Sequence, residues 1–172
     1  MTEKPNSEAF CAHLESCIVD AEEACADKLA EILGLRKGVD LFVGVPRPRV
    51  AEAAVFDIGH LLVGDQMAYR ARKFAFRGQL DLYNRSRPNL QRWLGRLMLN
   101  LPIGPWQGRT NDLEGETNVE QIRVAPETDA IGSVESATLG GDAQGKGGIE
   151  VFTATVLLDV VFSAKEKEAS KE

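Results

Sequence analysis

Apolar residues recur at three- and four-residue steps through the first 33 positions: Phe10, Cys11, Leu14, Ile18, Ala21, Cys25, Leu29 and Ile32. That spacing gathers them into one stripe and predicts an amphipathic helix over 7–33. Glu8, Glu15, Glu22, Glu23 and Asp27 lie outside the stripe. Ser7 is suited to cap this helix and Gly34 to stop it. From Val39 to Val45 a short strand is expected, broken by Pro46 and Pro48. Val50–Val63 holds apolar runs that suit another strand, and Gly64–Asp65 reads as a turn. The clearest strand pattern is Tyr69–Tyr83. Phe74, Phe76, Gly78, Leu80 and Leu82 fall on one face, while Lys73, Arg77, Gln79 and Asp81 fall on the other. One face of this strand is therefore expected in a core, the other in solvent or an interface.

A second helix is predicted over 86–100. Ser86 can cap it, and Pro88 occupies the first turn, where a missing N–H costs little. Leu90, Trp93, Leu94, Leu97, Met98 and Leu101 form its apolar stripe, with Arg87, Arg92 and Arg96 off it. Pro102 and Pro105 end it. Residues 103–118, rich in Gly, Asn, Asp and Thr, read as a mobile loop. Strands are expected at Val119–Ala125 and Ile131–Leu139. The glycine-rich stretch Gly140–Gly148 then leads into a long final strand, Ile149–Ser163. Both faces of that strand are apolar until Asp159, which suits the middle of a sheet. The tail beyond 163 alternates in charge and is expected to fray. With no internal repeat, residues 1–172 read as a single α+β domain. Its mixed or antiparallel sheet is packed by a long N-terminal helix and a second amphipathic one.

Composition narrows the class. The 172 residues are 44% apolar and 27% charged, as in globular proteins and unlike disordered chains. No apolar run approaches the roughly 20 residues that span a bilayer, and Met1–Ser7 is polar, unlike a signal peptide. A cytosolic protein without a membrane partner is expected. Cys11, Cys17 and Cys25, an odd number in one stretch, make a poor disulfide framework. The net charge of -6 conceals two changes of sign along the chain. Residues 1–35 hold eight acids against two bases (-6), 36–109 five against thirteen (+8), and 110–172 thirteen against five (-8). Such clustering suits solvated faces, and it equally suits a polarised subunit whose basic surface meets a neighbour's acidic one.

Catalytic signatures are weak. Gly140, Gly145 and Lys146 approach a phosphate-binding loop, but Gly147 stands where Ser or Thr is needed, and a strand follows instead of a helix. His13, Cys17 and Asp20 share a helical face at metal-ligand steps, yet His60, the only other histidine, is distant. A cysteine with His13 is the only nucleophile–base pair on offer, and it sits on a stripe that reads as core. No enzyme activity, cofactor or metal is expected.

The charged feature with most content is basic. Arg70, Arg72, Lys73, Arg77, Arg85, Arg87, Arg92 and Arg96 fall within 27 residues and are opposed only by Asp81. Arginine favours forked contacts with carboxylate or phosphate. Tyr69 and Tyr83 could stack bases, but a pI of about 5.1 is far from that of typical nucleic-acid binders. A carboxylate-rich protein partner fits as well.

The segment KFAFRGQLDLYNRSRPNLQRWLGRLMLNLPI, read with the closing IEVFTATVLLDVVFSA, resembles the tail-terminator (tail-completion) proteins of long-tailed bacteriophages. The resemblance covers about half the chain as an order of elements. It implies a compact α+β subunit that assembles with itself into a ring, usually a hexamer, on the finished tail tube. Such a ring stops tube polymerisation and joins the tail to the head connector. The implied partners are a second copy, the tail-tube protein and a connector or neck protein. The implied setting is the host cytoplasm during assembly and then the virion tail or neck. The family offers no catalytic residue to carry over. A ring needs two unlike surfaces on one subunit, and Arg70, Arg72, Arg77, Arg85 and Arg87 are the candidate interface. The alternative is a non-enzymatic module that touches nucleic acid or an acidic protein through the Arg70–Arg96 cluster.

Overall fold

A computed structural model describes residues 7–44, 51–68, 71–104, 106–107, 117–144 and 146–165. Two helices, α1 (Ser7–Leu33) and α2 (Arg87–Asn100), accompany seven strands. These are β1 (Leu41–Val43), β2 (Ala53–Ala68), β3 (Ala71–Asn84), β4 (Trp106–Gln107), β5 (Thr117–Val124), β6 (Glu135–Leu139) and β7 (Ile149–Lys165). They form one mixed sheet in the order β1-β2-β3-β7-β5-β4, with β6 also paired to β7. Only β1 runs parallel to its neighbour. The architecture is α+β.

The β3–β7 ladder is the spine. It runs without a register shift from Ala71↔Lys165 to Asn84↔Phe152. Phe74, Phe76, Leu80 and Leu82 of β3 lie on the same face as Ala154, Val156, Leu158, Val160 and Phe162 of β7, and all are buried. Phe162 stacks between Phe74 and Phe76, with ring centroids 5.4 and 5.2 Å away. Gly78 belongs to this face because a Cβ there would stand 2.9 Å from the Phe56 ring. The helices close this face. Cys17, Ala21, Ala24, Cys25, Leu29 and Leu33 of α1 join Leu90, Trp93 and Leu97 of α2 in one continuous core. Small residues dominate the buried side of α1, which lets the helix lie close to the sheet. Ile18 and Ile32, expected in the stripe, are only partly buried and pack at its edge.

Local chemistry explains the helix ends. Ser86 Oγ accepts the Asn89 N–H and caps α2, and Asn84 Oδ1 accepts the Ser86 N–H at 2.8 Å. At the far end of α1, Gly34 takes a positive φ of 71°. The Arg96 guanidinium donates to the free Leu33 carbonyl at 2.8 Å.

Several boundaries depart from the sequence pattern. The strand expected at 39–45 is reduced to Leu41–Val43, because the Arg36 carbonyl accepts the N–H groups of Val39, Asp40 and Leu41 in a tight turn. Gly64 and Asp65 are not a turn. They pair with Phe74 and Lys73 inside β2, and the hairpin closes between Ala68 and Ala71. Register shifts at Ile58/His60, Leu61/Val63 and Gln66/Ala68 absorb the poor strand formers of β2. The strand expected at 131–139 shrinks to Glu135–Leu139, preceded by a single Ile131–Val156 bridge. Pro126 and Gly132 interrupt the segment, although Ala125, Ala130 and Gly132 still bond the β7 backbone at Leu157 and Thr155. Of the loop expected at 103–118, Ile103 bridges Ile122, and β4 pairs with β5. Lys165 ends β7 rather than starting a frayed tail. The rest of that loop, Pro46, Pro48, Tyr69 and residues 166–172 lie outside the described residues.

Candidate assembly surfaces

The sheet face opposite the helices carries the charge. Period-two alternation places Lys73, Arg77, Gln79, Asp81 and Tyr83 of β3 there, and β7 contributes Thr153, Thr155, Leu157 and Asp159. Asp159 is the one charged residue buried among the described residues, at 5% exposure. Burying a carboxylate is tolerable only with partners, and it has two. Arg77 Nε donates to Oδ1 at 2.9 Å, and Arg123 Nη2 to Oδ2 at 3.4 Å. Arg77 also reaches Glu127 Oε1 at 2.7 Å. This ties the irregular segment after β5 across β7 to β3. A second ionic pair, Lys73 to Glu120 at 2.7 Å, crosses β7 nearer its end. The Glu127 carboxyl sits below its ordinary range, through a backbone hydrogen bond first and the Arg77 guanidinium second. Arg77 is raised, chiefly by its hydrogen bond to Glu127.

Further toward the β6 end, Asp81 Oδ1 accepts the Thr155 hydroxyl at 2.6 Å, and the Gln79 amide donates to both Asp81 oxygens at 3.0 Å. A cleft of about 940 Å³ opens here, between β3, the start of β7 and β6. Asp81, Thr153 and Thr155 form its polar side, and Tyr83, Ala137, Leu139 and Ile149 line the rest.

The structure separates the candidate arginines. Arg70 lies outside the described residues, and Arg72 is placed by its backbone alone, opposite Gln66 and Ala164. Arg77 is committed within the chain, as above. Arg85 and Arg87 are exposed on either side of the Ser86 cap. Neither takes part in an ion pair among the described residues. Among the described residues Arg92 bonds the side chain of Asn89, at 3.4 Å, and Arg96 caps α1. The basic run is thus two things, an internal clamp at Arg77 and an outward patch at Arg85, Arg87 and Arg92.

The acidic side of α1 is partly committed too. Lys37 folds back to bridge Glu23 and Asp27. Glu22 Oε1 accepts the Ile58 N–H at 3.0 Å, on the side of β2 beyond the reach of β1. Its carboxyl is raised, chiefly by desolvation, with Asp57 and Glu23 adding to the effect and the Ile58 bond opposing it.

The remaining motifs are placed as follows. The glycine loop joins antiparallel β6 to β7. Asp142 Oδ1 accepts the N–H groups of Gln144 and Lys146 at 2.9 and 2.8 Å, so the loop is closed on itself. Cys17 and Cys25 are buried thiols, and burial pushes the Cys25 thiol well up, away from a nucleophile. The side chains of His13, His60 and Cys11 lie outside what the structure describes. Among the described residues no group of three His, Cys, Asp or Glu side chains converges as for a metal ion. No described helix is long and apolar enough to cross a membrane.

Sequence reasoning missed the Asp159 network and the cleft. A signal for the first was present: Asp159 is the only charge in the long apolar run from Val151 to Phe162. No protein-family model matches the chain, and no curated protein is detectably similar to it in sequence.

Proposed function

We propose that this chain is a structural subunit that forms a ring on the end of a phage tail tube, stops tube growth and joins tail to head connector. The observation that carries this reading is the β3–β7 pairing. The two segments whose pattern resembles the tail terminators, 73–103 and 149–164, lie side by side in one antiparallel ladder capped by α2. Unlike surfaces on one subunit support it further. Arg85, Arg87 and Arg92 lie exposed by α2, while Glu23, Asp27 and Glu31 mark an acidic side of α1. In this reading the N-terminal helix is a long one, Ser7–Leu33, and packs the sheet together with α2. Ring closure joins such surfaces head to tail.

The test is electron microscopy of tail tubes polymerised with and without the chain. Tubes of defined length that carry a terminal ring are expected, and Arg85→Glu with Arg87→Glu should abolish the ring while leaving the fold intact. Tubes of unchanged length and bare ends would count against the proposal. The exposed arginine patch also favours a second reading, a module that binds nucleic acid. In that case binding to duplex DNA would weaken steeply with salt.

A further inference from the structure

The outer side of α2 holds features that no contact among the described residues explains. Met98 and Leu99 are 55% and 87% exposed, adjacent at the end of the helix. Gly95, one turn earlier, costs the helix about 1 kcal/mol relative to alanine. A Cβ there would meet nothing within 4 Å, so no described contact calls for glycine. A bare backbone on an outer helix face admits close approach by another surface. Every charge in α2 is positive, and Arg92, which shares a small pocket with Glu52, forms no ion pair among the described residues.

The cleft on the opposite face of the sheet has the complementary character. Its lining carries one charge, the Asp81 carboxylate. Leu139 and Ile149 give it an apolar wall, and both are only partly buried. Lys146 stands outside the lining, in the loop above.

We propose that the outer face of α2 in one copy of this chain docks into the cleft of the next. Leu99 and Met98 then cover the Leu139–Ile149 wall, and Arg92 meets the Asp81 carboxylate. Because α2 and the cleft lie on opposite faces of one sheet, the contact is heterologous and propagates from copy to copy until a ring closes. The inference rests on the ring reading and names the surfaces that would make it.

Two single-site variants test it, Leu99→Asp on the helix and Ile149→Lys in the cleft, each followed by sedimentation velocity. Each should weaken self-association by roughly thirtyfold or more, as for a central contact. An equimolar mixture should give a one-to-one dimer and nothing larger, since only one intact helix then faces one intact cleft. Arg92→Glu and Thr153→Arg form a second pair if either first variant melts early. Variants that assemble like wild type would overturn the docking and leave the ring reading standing. Loss of assembly in the cleft variant alone would overturn α2 as the occupant and point to another partner there. A wild type that stays monomeric with and without tail tubes would overturn both.

Discussion

At the residue scale the decisive group is Asp159. A carboxylate with 7% of its side chain exposed would be strongly unfavourable alone, and two guanidiniums make it tenable. Removing one partner of such a pair costs more than the pair contributes, because a buried charge is left behind. Arg77→Met, which leaves the Asp159 carboxylate buried with Arg123 alone, is therefore expected to destabilise the fold by about 3 kcal/mol in urea unfolding. Replacing both members, Arg77→Met with Asp159→Leu, should recover most of that loss. A change in the single variant within about 0.5 kcal/mol of zero would show that the network carries little energy. The same residue explains why Arg77 was legible only in part. Its outward placement follows from the alternation of β3, but its partner is 82 positions away and known only once the β3–β7 register is set.

At the element scale, strongly periodic segments were the readable ones. β3 alternates for its full length, α2 carries a cap, an N-terminal proline and a regular stripe, and β7 presents an unbroken apolar row to the core from the middle of the sheet, with strands paired on both sides. β2 was readable only as far as Val63, since Gly64 and Asp65 imitate a turn inside a strand that β1 leaves unpaired beyond Phe56 and whose bulges accommodate them. The cleft was hidden for a different reason: it arises where β3, β6 and β7 converge, and each lining residue is unremarkable in its own strand. The contact between α1 and β2 has a pH signature. Desolvation above all raises the Glu22 carboxyl. A raised folded value means that its favourable contribution is complete below the ordinary glutamate range and lost as pH rises through the folded value. Thermal stability should thus decline through the range just above pH ~4.3. Glu22→Gln, which keeps an acceptor for Ile58, should flatten that decline in melting curves taken across pH. An unchanged slope would assign it to other groups.

At the scale of the whole molecule, charge is distributed so that each surface has a different character. One face of the sheet is closed by helices, and the other is open and crossed by ion pairs. Arginines without acidic partners among the described residues gather beside α2. A monomer gains little from unlike charged surfaces, whereas a ring uses both on every copy. The most direct measurement is the solution mass by light scattering, over a range of salt and protein concentration, with and without tail tubes. A closed species of defined size, or a monomer that becomes one when tubes are added, is the predicted result. A strict monomer that ignores tubes and binds DNA would contradict the account.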